Sequence, residues 1–164
     1  MQSTSPVVIS AILLCFLAVA VRDGLTQEPL IPFERNEMWG YKTSSGEVMI
    51  QPQFEIAEDF TAEGIAAIAD AKGWAHINRK GNILVRSVNY DNGPDPFEEG
   101  LARCVADDGK IGFFNKKGKV VLQPQFGWAS HFHDGLAAIC IGCREERIGD
   151  ARIVLGGKLG VHQP

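Results

Sequence analysis

The sequence predicts an all-β fold: a short open array of three-stranded antiparallel β-meanders, three complete and a fourth partial, preceded by a signal-peptide helix. Three observations predict it. The tetrapeptide Gln-Pro-Gln-Phe occurs at residues 51–54 and again at 123–126, 72 residues apart. Between the two lies a weaker copy of the same pattern, because Trp39, Trp74 and Ile111 stand 35 and then 37 residues apart, each followed by a small residue, Gly40, Ala75 or Gly112. Seven positions after each stands a glycine, Gly46, Gly81 or Gly118, and then an apolar triplet, Val48-Met49-Ile50, Ile83-Leu84-Val85 or Val120-Val121-Leu122. The spacing is two periods of about 36 residues, within the range that marks a repeat array.

Taken in order, the first element is an apolar run. Residues 1–20 carry no charged side chain, and 7–21 are apolar apart from Ser10. As a helix that run reaches about 22 Å, short of a bilayer core of roughly 30 Å. Ala18-Val19-Ala20 has the small-x-small form that a signal peptidase needs, so cleavage is expected after Ala20. A secreted or periplasmic protein follows. Residues 1–6 hold no Lys or Arg, which leaves an uncleaved, membrane-anchored segment as the alternative.

The first sheet is expected from Leu30–Glu34, turned by Arg35-Asn36-Glu37 into Met38-Trp39, and from a hairpin of Trp39–Lys42 with Glu47–Ile50 around Ser44-Ser45-Gly46. The second and third repeat it, as Ile65–Ala69, Gly73–Asn78 and Ile83–Val85, then as Leu101–Val105, Lys110–Asn115 and Val120–Leu122. The shared turn glycine is placed where φ above zero is cheap. Proline cannot donate to a ladder, so each Gln-Pro-Gln-Phe is expected to end the last strand and send the chain to the next sheet. Small residues beside the Trp column allow close backbone approach. The tail, 142–164, departs from the repeat domain, 30–141. There Arg144–Arg147 reads as a charged insertion, and 151–155 with 158–162 as a hairpin around Gly156-Gly157. Gly157-Lys158-Leu159-Gly160 reads as the opening of a fourth unit.

Trp-Gly, a glycine seven on, Val-x-Ile, Pro-x-Phe, and then Phe-x-x-x-Gly-(Leu)-Ala, seen at Phe60–Ala66, closely resembles the WG repeat of bacterial, often secreted, proteins. The resemblance covers Leu30 to Cys140. It implies a non-enzymatic binding or scaffolding module. Ala75 in place of glycine, and Ile111 and Leu159 in place of tryptophan, depart from the pattern and weaken any role in which the indole itself meets a ligand.

The chemistry-bearing residues are few. A net charge of −4 and a pI near 5.5, with no basic stripe, exclude a general nucleic-acid surface. Acids gather in the crossovers (Glu55, Glu58, Asp59, Glu63, then Asp91, Asp95, Glu98, Glu99) and bases at the hairpin tips (Arg79, Lys80, Lys116, Lys117, Lys119), which reads as solvated turns. Glu98 and Glu99 are neighbours on an extended segment and point to opposite faces, so they do not flank one glycosidic bond. His131, His133, Cys140 and Cys143 offer zinc-type ligands. Against a metal site, Phe132 falls in the column of Phe60 and Phe97, which turns both histidines away from the core. Cys140 and Cys143 are instead a candidate disulfide. Cys104, in the column of Ile68 and Ile139, is a small core residue. Neither an enzyme activity nor a cofactor is expected. The expected partner is a protein or a cell-surface component, with self-association through the C-terminal edge. Two alternatives stand beside this: a carbohydrate-binding protein using Trp128, and a metal or redox protein using the His/Cys cluster.

Overall fold

A computed structural model describes residues 28–149 and 151–163. The expected signal peptide, residues 1–20, and its cleavage site lie outside the described residues. Within them the chain is all β, with no helix. The first sheet has the order β1 (Leu30–Arg35), β2 (Met38–Thr43), β3 (Val48–Phe54). The second holds β4 (Ile56–Ala57), β5 (Ile65–Asp70), β6 (Gly73–Asn78) and β7 (Ile83–Arg86). A minimal ribbon of β8 (Asn89–Tyr90) and β9 (Gly93–Pro94) leads to the third sheet, β10 (Leu101–Val105), β11 (Ile111–Asn115) and β12 (Val120–Phe126). The fourth begins with β13 (Trp128–Ala129) and β14 (Ala137–Ile141). A ribbon of β15 (Arg144–Ile148) and β16 (Ala151–Leu155) intervenes before β17 (Lys158–His162) returns to pair with β14.

The first three sheets are therefore the expected meanders, all pairs antiparallel. Asn36 and Glu37, both with positive φ (52° and 62°), make the two-residue turn between β1 and β2, the hairpin geometry whose twist matches its strands. Gly81 takes φ 81° at the tip between β6 and β7, and its neighbours in the turn are held by Asn78, whose side-chain Oδ1 accepts from the N–H groups of Lys80 and Asn82.

Three expectations are corrected. First, Gln-Pro-Gln-Phe lies inside β3 and β12 and does not terminate them. Trp39 pairs with Phe54 and Tyr41 with Ile50, so residues 51–53 on β3 oppose Gly40 alone; Ile111–Phe126 and Phe113–Leu122 repeat this bulge in the third sheet. Proline's missing donor costs nothing at a bulge, where the ladder is already interrupted. Second, 151–155 and 158–162 are not a hairpin. β16 pairs with β15, which is the supposed charged insertion, and Gly156-Gly157 carries the chain back to the fourth sheet. Cross-strand pairing with Arg144–Ile148 and Ala137–Ile141 outcompetes the local turn. Third, the second sheet gains a fourth strand. After Phe54 the chain runs straight along β5, with Ile56 opposite Ala69, and Trp128 opposite Cys140 repeats this in the fourth sheet.

The core is segmented, as a stack requires. Tyr41, Ile50 and Phe54 of the first sheet pack on Ala66, Ile68, Ala75 and Ile77 of the second. Val85 of the second packs with Ala102, Cys104 and Phe114 of the third. Phe113 and Phe126 of the third pack on Ala137 and Ile139 of the fourth. Each sheet thus turns one face back and one face forward, which is why β5, buried on both, is built of alanine and isoleucine. No such cluster of described residues joins the first sheet to the fourth, so the array is open.

Candidate functional site

The forward face is assembled by one rule in each of the first three sheets. Two positions after the Trp column stands a ring, Tyr41, His76 or Phe113, and the Phe of the following crossover meets it edge-on. Phe60 lies 4.8 Å from Tyr41, Phe97 5.7 Å from His76 and Phe132 4.8 Å from Phe113, centroid to centroid. Tyr41, His76 and Phe113 are 0%, 4% and 1% exposed as a result. Burial alone lowers the pKa of His76 to about 4, so it stands neutral between Phe97 and Phe114.

In the fourth sheet the rule is half written. Leu159 pairs with Cys140 and Gly160 with Ile139, as Trp74 pairs with Ala69 and Ala75 with Ile68, so Leu159-Gly160 occupies the Trp-Gly position. Val161 stands where Tyr41, His76 and Phe113 stand in the others. It is 71% exposed and Leu159 is 78% exposed. Trp128, Cys140 and Leu159 form one cross-strand row on this forward face. The β15–β16 ribbon folds over part of it, and Trp128, Cys143, Val154, Gly156 and Leu159 line a shallow hollow of about 210 Å³. The outer edge of β17 pairs with no strand among the described residues, whereas β2, β6 and β11 each have a third strand there.

The cluster of His131, His133, Cys140 and Cys143 is dispersed. Cys140 and Cys143 are joined as a disulfide with Cα atoms 5.7 Å apart. His133 is exposed beside Asp134. His131, expected to face away, is instead tucked against the third sheet, with Nε2 3.0 Å from Asp95 Oδ1. No group of three or more potential metal-ligating side chains is gathered among the described residues. Cys104 is buried and reduced, its thiol pushed up to about 11 by burial.

Asp95 is the polar residue that sequence reasoning misplaced. Expected on a solvated rim, it is buried, and both of its oxygens are used. Arg103 donates from Nη2 to Oδ1 at 2.6 Å, from Nε to Oδ2 at 3.1 Å, and from its backbone N–H to Oδ2 at 2.7 Å. Arg103 Nη1 then donates to Ala129 O at 2.9 Å, reaching the fourth sheet. His131 Nε2 also lies 3.0 Å from Arg103 Nη2, and since one nitrogen cannot both donate to Asp95 and accept from Arg103, the His131 tautomer that serves the carboxylate carries its proton on Nε2. The Tyr90 ring covers the group, 5.1 Å from His131 and 6.0 Å from the Arg103 guanidinium. A buried carboxylate with a bidentate arginine is a structural tie between two sheets and a crossover. The only sequence signal for it was the pairing of an acid in one crossover with an Arg on an otherwise apolar strand.

The model of the WG containing repeat family matches residues 39–73 and 111–142. The second unit, where Ala75 replaces glycine and the prolines are missing, lies largely outside the matched stretches. No curated protein and no solved structure matches the chain. With four sheets in one register, the chain is an all-β repeat protein, two stretches of which, residues 39–73 and 111–142, match the WG containing repeat.

Proposed function

We propose that this repeat protein is a non-enzymatic binding or scaffolding module, exported from the cell, whose contact surface is the forward face of the fourth sheet. The observation that carries this reading is the exposure of Val161 at a position that the same fold buries in the three preceding sheets, beside Leu159, exposed where Trp74 is buried and Trp39 and Ile111 are half-buried. Burying two such side chains contributes about 1.5–3 kcal/mol each towards an association. The two arginine–carboxylate pairs nearest the core, Asp95 with Arg103 and Asp70 with Arg86, are structural ties. Export rests on the uncharged N-terminal run. The hollow at Trp128 favours a protein over a sugar, since Cys143, Val154, Gly156 and Leu159 offer no carboxylate or side-chain amide for sugar hydroxyls.

The test replaces both exposed residues. The chain and its Leu159→Asp/Val161→Asp variant are immobilised and offered the surface-protein and glycan fractions of the source cell, and each retained species is purified and rebound. A purified protein that binds the native chain and loses at least tenfold in affinity for the variant is the expected result. Equal binding by both chains, or retention of glycans alone, overturns it.

A further inference from the structure

The glycine after the Trp column records what lies over it. At Gly40 a Cβ would fall 2.4 Å from the Ile50 carbonyl oxygen and 2.7 Å from Pro52 N; at Gly112 it would fall 2.5 Å from Leu122 O and 2.7 Å from Pro124 N. The proline bulge of the third strand passes directly across both glycines, and nothing larger fits. The second sheet supplies the control within the same chain. It lacks the prolines, β7 stops at Arg86, and the position is filled by Ala75. Glycine and the proline bulge therefore occur together in this chain, for a steric reason.

Gly160 has the glycine without the bulge. Its φ is not in the left-handed region, and a Cβ there would meet only the Ile139 side chain, at 3.8 Å or more. Nothing in the described structure requires glycine at this position. The bare edge of β17, the small residue and the exposed Leu159 and Val161 are together the half of a sheet that fits a strand of the β3 and β12 type.

The other end of the array argues for one direction of docking. On the backward face of the first sheet, Phe33 is flanked by the Arg35 guanidinium at 5.5 Å and the Lys42 ammonium at 5.4 Å, and β1 carries Pro32. Charge and proline are the devices that keep an edge from pairing. β17 has no proline, and its one Lys, Lys158, stands at its start, ahead of Leu159, Gly160 and Val161.

We infer that β17 is an acceptor for an added strand of the pattern apolar-x-apolar-x-Pro-x-aromatic, taken up antiparallel with its proline over Gly160. This rests on the reading of the fourth sheet as the contact surface and names its partner by chemistry. The registers of the first and third sheets set the match. The residue equivalent to Val48 or Val120 lies opposite His162, that equivalent to Ile50 or Leu122 opposite Val161, and that equivalent to Phe54 or Phe126 opposite Leu159. Main-chain bonds supply affinity and alternate side chains supply specificity, as in other strand additions.

The probe is a synthetic peptide of residues 116–126, Lys-Lys-Gly-Lys-Val-Val-Leu-Gln-Pro-Gln-Phe, fluorescently labelled and titrated with the whole chain. Saturable binding is expected, weakened at least tenfold by Gly160→Val in the protein or by aspartate at both Leu122 and Phe126 in the peptide. Amide exchange at Lys158–His162 should slow on peptide addition, a readout that depends on no variant. Absence of saturation by about 1 mM peptide, equal binding of a scrambled peptide, or unchanged exchange in β17 overturns the inference. If those failures coincide with association that Leu159→Asp/Val161→Asp abolishes, for instance between two copies of this chain, the strand pattern is wrong and the contact surface stands. If that variant also changes nothing, both fall.

Discussion

His76 is the residue at which the repeat tolerates a polar ring, and the tolerance has a pH limit. Its folded pKa, about 4, is below the 6.5 of an unperturbed imidazole. Between those values the unfolded chain takes up a proton that the folded chain refuses, so the stability tied to a neutral His76 is complete above pH 6.5 and lost as pH falls towards 4. The whole loss is on the order of 3 kcal/mol. Phenylalanine, the ring at the equivalent Phe113, removes it. His76→Phe is expected to match or exceed the native chain in urea midpoint at pH 7.5 and to exceed it clearly at pH 4.5, although both lose whatever the carboxylate pairs contribute. Parallel pH dependence of the two midpoints would show that His76 titrates freely and that the aromatic cage around it is wrong.

At the scale of the element, the unit is a strand pair whose glycine is dictated by a bulge on its neighbour. The two glycines one position after the Trp column in the third and fourth units should thus respond oppositely to the same change. Gly112→Ala must displace the backbone at Leu122 or Pro124, and a loss of about 2–3 kcal/mol is expected. Gly160→Ala meets only the Ile139 side chain, in ordinary contact at 3.8 Å, on an extended strand where alanine is about 0.5–1 kcal/mol better than glycine, so the chain should be unchanged or slightly firmer. Chemical denaturation of the two variants measures this. Equal destabilisation would mean that Gly160 already lies under a strand, and would remove the basis for an acceptor edge.

For the whole molecule, stability is a sum over neighbouring sheets, because each core cluster joins only two of them. The fourth sheet contributes Ala129, Phe132, Ala137 and Ile139 to the last cluster, all before β15. Deleting 151–164 removes β16 and β17 and leaves those residues in place. The shortened chain should keep the β circular dichroism of the first three sheets and a cooperative transition, and should lose the association that the β17 edge supports. Complete unfolding would identify the tail as an integral cap; undiminished self-association by sedimentation would place the contact elsewhere.

The legible part of this protein was its period. Trp39, Trp74 and Ile111, the turn glycines and the apolar triplets recur at one spacing, and a recurrent spacing of strands and turns has few solutions, so four sheets in one register could be read from residues alone. Even Leu159-Gly160 could be placed, since register follows from the alternation of the strand. What could not be read was pairing between segments that share no pattern. Gln-Pro-Gln-Phe reads locally as a stop, and only the neighbouring Gly40 or Gly112 turns it into a bulge. Gly156-Gly157 reads as a hairpin turn, yet 151–155 found a better partner in 144–148. Asp95 reads as a crossover acid, but Arg103 and His131, eight and 36 residues away, draw it inside. The sequence by itself determined the fold class and the repeat, because both are set by short-range periodicity and sterics. Only the tertiary structure decided which polar groups are buried and which edge is left open, because those depend on what lies across from a residue in space.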